Sequence, residues 1–451
     1  MVSPYFALKD LINCTNGKLY GSADKLGNFS VSTDTRTLSK NDIYIALKGE
    51  KFDGHDFVVK AFECGCQGAV ISKNNVDNFK DLLAEGRFFI AVDDTSKAYL
   101  KIANFYRKQQ NVKIIAITGS SGKTTTKEMV YAVLNSQFNT QKSIKNHNNE
   151  IGLCQTLLSI EPETQYCVIE MGMRAQGEVD LLSKYAQPDV AVITNVGPAH
   201  IGILGSLENI AKAKCEIVNY LQQDGVLFAL DDELIKNNVK TEAKKEFYSL
   251  DDVNIISRTS GGSIFNYKDA LYRINEFAEF NILNALVAIK IGQYVGMKHD
   301  EIQSGLLSFR NVEFRNEVTI LDCGATVISD CYNANPFSVE ASIKSVSEIY
   351  KDKNIIVVFG DMLELGEFEK DYHRKTGEII NNSNVNYFTT VGELAKIAAE
   401  QVENKKTKSF SSTEEAVSFL KTIIDKNSLV LLKASRGMRF EEILKGLKDL
   451  K

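Results

Sequence analysis

Residues Ala116 to Met129 read AITGSSGKTTTKEM, with a lysine and a threonine directly behind a Gly-Ser-Ser-Gly turn. Types and spacing of this kind suit the binding of a nucleotide's phosphates. Gly119 and Gly122 let backbone N–H groups turn inward with no Cβ in the way, and the helix expected from Lys123 adds its positive end. Lys123 then reaches the β and γ phosphates, the Thr124 hydroxyl is placed to bind Mg²⁺, and Ser120, Ser121 and Thr125 complete the loop. The commonest loop of this kind, GxxxxGK[ST], is longer by two residues, and its first glycine would fall on Ile117. A plain Gly/Ser turn before a helix is the weaker reading, because strand, loop, Gly-Lys-Thr and helix all occur in order.

A metal bridging two phosphates needs further ligands. Glu170, in VIEMG, closes a strand that comes after the loop, so its carboxylate can face a bound triphosphate. His200, in TNVGPAHIG, also closes a strand in a chain with five histidines. From chemistry alone, a helix cap or ion pair for Glu170 and a structural role for His200 stand beside these readings. Lys214 is odder. If Ser206 starts the helix SLENIAKAKCEIVNYL, Lys214 lies about 12 Å along its axis, and IGILG folds the chain back beside His200. An ammonium does not ligate a metal, so on these grounds Lys214 is a solvated lysine.

The elements that must hold these residues fall into three regimes. Residues 1–107 mix short β-like runs (DIYIAL, GAVIS, FFIAV) with small helical segments, and SKAYLKIANFYRKQQ leads out as a helix. Residues 108–308 alternate strand and helix: KIIAIT, the loop, a helix near 123–136, then YCVIEM, DVAVITNV and GVLFAL. Strands so apolar are expected in a parallel sheet covered on both faces. From 309 to 451, NIIVVFG, VNYFTTVG and SLVLLKAS are strands of a second parallel sheet with loops at their C-terminal ends, where α/β ligand sites lie. The helix FNILNALVAIKIGQYVG joins these two regimes. The expectation is an α/β protein of three domains: a small N-terminal α/β domain, a central P-loop ATPase-like parallel-sheet domain and a C-terminal Rossmann-like domain.

Composition narrows the function. At 451 residues the chain is too long for one core, and its net charge of −5 gives no general attraction to nucleic acid or anionic membrane. An anionic substrate must therefore meet local cations. Eight cysteines without a CxxC pair read as reduced core residues, and no run approaches a membrane span. The N-terminus lacks a basic region followed by an apolar stretch, so the expected location is the cytoplasm. With no spare hydrophobic stripe, a monomer is expected.

Taken together, ITGSSGKTTTKEM, NHNNEIGL, VIEMGMRAQGEVD, TNVGPAHIGILGSLENIAKAKCEI, EFNILNALVAI, FRNEV, SDCYNANPFSVEAS, FGDMLELGE and KASRGMRFE resemble the Mur ligases. YNANP with MGMRAQGE and GDMLELGE is similar to the branch that adds D-alanyl-D-alanine to UDP-N-acetylmuramoyl-tripeptide. The resemblance covers nearly the whole chain, and in that family the short TGxxGKT loop is the normal form. It implies peptidoglycan synthesis by an ATP-dependent ligase: ATP phosphorylates the tripeptide's free carboxylate, and the amine of D-Ala-D-Ala displaces phosphate from the acyl phosphate.

The resemblance also implies roles. Thr124 and Glu170 would hold Mg²⁺ on the β and γ phosphates, His200 would help hold a second ion, and Lys214 would be carbamylated, CO₂ turning a cation into an anionic ligand. Arg315 would meet the γ-phosphate, Asp330 the ribose and Asn281 the adenine. Read alone, these three are an ion pair, a turn cap and a helix cap. Asn148 and Asn149 would lie by the reacting carboxyl, where amides donate without adding charge. Thr35, Arg36, Lys48 and His55, in TDTRTL and KGEKFDGHDF, match the UDP region. Two departures stand out: His147 where an apolar residue is common, and Cys331 where serine is frequent.

Two alternatives remain at this point. One is the neighbouring ligase adding a diamino acid, against which no DNPR-like motif occurs. The other is a regulatory or transport ATPase, which leaves Lys214, Arg315 and two further domains unexplained. Because Lys123, Arg315 and Asp330 would share one nucleotide across two domains, closure on ligand binding is expected.

Overall fold

The computed structural model describes residues 4–23, 27–49, 52–83, 86–144 and 147–450. Each expected α/β regime forms its own six-stranded sheet. In the first, Asn28–Ser32, Asp42–Ile45, Gly68–Ser72 and Phe88–Val92 run parallel, and Phe6–Ala7 and Lys18–Gly21 close the two edges antiparallel. The runs GAVIS and FFIAV coincide with their strands because they are apolar without interruption and end at polar turns.

In the middle sheet the order is Lys244–Tyr248, Val226–Leu230, Val190–Ile193, Lys113–Thr118, Tyr166–Glu170, Thr140–Lys142, all parallel. Lys113–Thr118 lies between Val190–Ile193 and Tyr166–Glu170, with Ile117 opposite Glu170 and Thr118 opposite Ile193. Three strand ends therefore open side by side, and the loops leaving them face one crevice. Ile114–Ile117 and Val190–Ile193 are almost wholly buried because helices cover both faces. Lys123–Asn135 packs with Glu279–Tyr294 on one face, and Thr95–Gln109 packs with Glu150–Leu158 on the other.

The last sheet runs Glu317–Ile320, Thr326–Ser329, Ser428–Lys433, Asn354–Gly360, Tyr387–Val391, Lys406–Phe410, parallel except for its first pair. A three-stranded antiparallel sheet, Val253–Thr259, Gly262–Tyr267 and Ala270–Ile274, was not foreseen. Its first strand mixes half-buried and exposed positions and leaves Ile256 54% exposed, which breaks the apolar signal. The edge strands KKEFY and KTKSF were missed for a similar reason, since an edge with solvated charges carries no apolar run. All eight cysteines are free. Among the described residues no helix is long and apolar enough to cross a membrane.

Candidate active site

The crevice at the middle sheet is a cleft of about 540 Å³, walled on its other side by the last domain. Ser120, Ser121, Gly122, Lys123, Thr124 and Thr125 form its floor. The helix begins at Lys123 behind Gly122, whose φ of +78° favours glycine. At Gly119 a Cβ would sit 1.9 Å from Thr194 Oγ1, so the loop packs directly on the next strand's end. That end braces it: Ser121 N–H donates to Asn195 Oδ1 at 2.9 Å, and Ser120 Oγ donates to Gly197 O at 2.8 Å. Thr194 and Asn195 escaped the sequence reading, although their place at the end of the neighbouring strand was a usable signal.

Lys123 is half-buried and donates to Gly119 O at 2.8 Å. Burial lowers its pKa from the usual lysine range; Glu170 opposes this and the Arg315 charge adds to it. Thr124 Oγ1 donates to Glu170 Oε2 at 2.8 Å, and Asn148 Nδ2 donates to Glu170 Oε1 at 2.9 Å. Glu170 is 3% exposed, so its charge acts in a poorly solvated place. Asn149 caps the helix Glu150–Leu158 by accepting Gly152 N–H at 3.0 Å, a bond that uses its amide oxygen and leaves its NH₂ uncommitted to the cap. Asn148 and Asn149 both line the cleft, with one amide committed to Glu170.

His200 has a φ of +61°, and its Nδ1 lies 2.9 Å from Glu364 Oε2 of the last domain. That contact spans the two domains, and the His200 imidazole is the main group holding the Glu364 carboxyl below its usual range. Beside it the two domains touch through glycines: a Cβ on Gly202 would lie 2.6 Å from Gly366 N. Lys214 is not solvated. The helix does start behind Ser206, whose hydroxyl accepts Asn209 N–H, but Lys214 is 2% exposed and outside the cleft's lining. Burial first, and then the Lys123 charge, push its ammonium well below the usual lysine range.

The opposite wall belongs to the last domain. Arg315 sits between Phe314 (φ +62°) and Asn316 (φ +47°), backbone conformations that non-glycine residues rarely adopt. Its guanidinium stacks 4.3 Å over the Tyr332 ring, and its Nε is buried without a partner. Asp330 Oδ2 accepts from Lys433 Nζ at 2.6 Å and from Ser342 Oγ at 2.7 Å. Lys433, within the KASRGMRFE motif, was given no role from sequence; its partner lies 103 residues away.

Other expected residues lie apart from the cleft. Asn281 is 1% exposed, its amide bonded to Glu276 and Asn284, and it is Asn284, one turn on, that lines the cleft. In the first domain Thr35 is half-buried, while Arg36 and Lys48 are exposed and pair with near neighbours, Asp34 at 2.6 Å and Asp53 at 3.8 Å. His55 is 6% exposed: its Nδ1 lies 2.6 Å from Asp53 Oδ1 and its Nε2 accepts Ser72 N–H at 2.9 Å. Both ring nitrogens are engaged, so His55 fastens its loop to the next strand and offers no nitrogen to a ligand. Glu50 and Lys51 of that loop lie outside the described residues. Cys331 is buried, which pushes its thiol up to about 12 and fits an apolar packing role.

Known proteins match this arrangement along its length. Residues 30–107 match the Mur ligase family catalytic domain, 117–292 the Mur ligase middle domain and 314–436 the Mur ligase glutamate ligase domain. The UDP-N-acetylmuramoyl-tripeptide–D-alanyl-D-alanine ligase of Bacillus subtilis (strain 168) is 39% identical over 430 residues, 92% of each chain. The Escherichia coli (strain K12) ligase of the same name is 31% identical over 458 residues, 98% of each. A crystal structure of MurF from Acinetobacter baumannii superposes with a TM-score of 0.91 at 28% identity, covering 100% of both chains. MurF from Thermotoga maritima, in complex with ADP, gives 0.83 at 27%, covering 93% of this chain and 97% of that one. The chain belongs to the Mur ligase family, in the branch of the UDP-N-acetylmuramoyl-tripeptide–D-alanyl-D-alanine ligases.

Proposed function

We propose that the chain joins D-alanyl-D-alanine to the free carboxylate of UDP-N-acetylmuramoyl-tripeptide, with ATP converted to ADP and phosphate. One observation carries the reading: Lys123 and Arg315, cations of two domains close enough to repel, flank one cleft that also holds the Thr124–Glu170 pair. A triphosphate relieves that repulsion. A carboxylate oxygen of the tripeptide attacks the γ-phosphorus, forming an O–P bond as the bond to ADP breaks. The amine of the dipeptide then attacks the acyl carbon, the tetrahedral intermediate expels phosphate, and the nitrogen loses a proton. Negative charges are brought together in the first step, so positioning and cations supply most of the catalysis. Lys123 serves the β and γ phosphates and Arg315 the γ-phosphate; Asn149, at the cleft wall, serves the acyl phosphate, and Asp330 the ribose.

The residues fit Mg²⁺. Among the described residues no cluster of three or more His, Cys, Asp or Glu occurs, but Mg²⁺ takes one or two protein oxygens and completes its shell with phosphates and water. Thr124 Oγ1 and Glu170 Oε2, 2.8 Å apart, are such oxygens, and His200 Nδ1 would serve a second ion on leaving the Glu364 carboxylate. A bound ion supplies charge neutralisation on the phosphate oxygens. Burial disfavours the charged form of Lys214 and so favours the neutral amine that adds CO₂, and its carbamate would offer an anionic oxygen.

On the same reading Thr35, Arg36 and Lys48 take the UDP end, the domains divide near 107/108 and 308/309, and the enzyme is a cytoplasmic monomer. Tripeptide labelled with ¹⁸O in its free carboxylate tests the chemistry: an acyl phosphate must pass one labelled oxygen to the released phosphate. Unlabelled phosphate from a turning-over enzyme would refute it.

A further inference from the structure

Away from the cations, a chain of buried side-chain hydrogen bonds runs from the interdomain segment to the phosphate loop. Asn311, four residues before Arg315, donates from Nδ2 to Glu276 Oε1 at 2.8 Å. Asn281 Nδ2 donates to Glu276 Oε2 at 2.9 Å, and Asn281 Oδ1 accepts from Asn284 Nδ2 at 3.0 Å. Asn284 Oδ1 in turn accepts from Thr126 Oγ1 at 3.0 Å and lies 2.9 Å from where a Cβ on Gly122 would be. Glu276, Asn281 and Asn284 are all buried, and Ser263 Oγ pins the Glu276 carbonyl at 2.7 Å.

The direction of this chain is set by the acid at its centre. An ionised carboxylate only accepts, so both asparagines must turn their NH₂ groups to it. Asn281 is then left with its oxygen for Asn284, which must give its NH₂ and keep its own oxygen toward Thr126 and the loop. A protonated or amidated Glu276 donates from one side, and an amide along the chain has to turn over. We propose that Glu276 is a positioning residue whose carboxylate fixes the face of the Asn284 amide presented to the phosphate loop and, through Asn311, couples that face to the segment carrying Arg315. The inference rests on the reading that this cleft takes ATP.

Burial pushes the Glu276 carboxyl up to about 7, with the two asparagine amides pulling it the other way, so the switch in direction falls in the neutral range. On adjoining elements the charged groups Arg258, Glu279 and Glu348 are paired with one another, Arg258 NH1 lying 3.0 Å from each carboxylate. Arg258 Nε donates to Phe277 O at 3.2 Å.

The test compares the unaltered enzyme with Glu276→Gln and Asn311→Ala, following KM for ATP, kcat and ADP binding by calorimetry between about pH 6 and 8.5. ADP's own titration is common to all three. Glu276→Gln is expected to raise KM for ATP about tenfold with kcat changed less than about threefold, and to flatten the pH dependence of ADP affinity around 7. Asn311→Ala, at a half-buried position, should move KM the same way by about threefold. Both variants keeping the parent's KM and pH profile would overturn the inference. ADP binding and turnover absent from the unaltered enzyme would instead overturn the nucleotide reading, and the inference with it.

Discussion

The phosphate loop and the turn at residues 34–37 are both polar turns at strand ends, yet they are held in opposite ways. Around the phosphate loop the bonds are long-range and buried: Thr124 to Glu170 spans 46 residues and Thr126 to Asn284 spans 158. In the first domain Arg36 pairs with Asp34 two residues away, its side chain 83% exposed. The first arrangement is preorganised by the fold, and its groups lose little freedom when ligand arrives. The second keeps its cations solvated and local, so ordering them is left to the ligand.

The contrast is broken most severely at Lys123. Replacing it with alanine should lower kcat/KM by about a thousandfold or more in a phosphate-release assay, with the melting temperature nearly unchanged. A loss below about tenfold would mean that the preorganised cation is not the one on the transferred phosphoryl group. Next comes Lys214→Ala, expected to lose most activity and to regain part of it with added short-chain carboxylic acid. Undiminished turnover by the untreated variant would remove the carbamate role.

Stability against pH should separate the two regions by sign. Glu276 has a folded pKa raised from 4.5 to about 7, so its favourable contribution is complete below pH 4.5 and lost as pH rises through about 7. The difference is about 3 kcal/mol, and Glu276→Gln should abolish it in urea unfolding at pH 5 and 8. Asp34, held down to about 2 first by its hydrogen bond to the Arg36 side chain, acts oppositely: its contribution is present above 3.8 and lost as pH falls toward 2. The smallest effect belongs to Arg36→Ala, which should raise KM for the UDP substrate about tenfold while leaving kcat and the melting temperature unchanged. A lowered melting temperature would place Arg36 in the scaffold.

Legibility of the chain divides along the same line. Strand, glycine turn, lysine and helix are neighbours in sequence, so the phosphate loop and its bounds were legible, as were the apolar strands GAVIS, FFIAV, KIIAIT and NIIVVFG. Burial of polar groups was not. His55 and Asn281 have the types of ligand contacts, but the fold turns both inward to bond its own backbone and side chains. Lys433 finds Asp330 across a hundred residues of parallel sheet, a pairing that no spacing announces. The antiparallel sheet near Val253–Thr259 stayed hidden because its half-exposed strands carry charges and an exposed Ile256.

The central claim is that these walls assemble to join two substrates at the expense of ATP. Phosphate release from ATP should be measured with UDP-N-acetylmuramoyl-tripeptide, with and without D-alanyl-D-alanine, and the product weighed by mass spectrometry. The account predicts release that depends on the dipeptide and a product heavier by the dipeptide less one water. Sustained release without an acceptor, with the tripeptide mass unchanged, would contradict it.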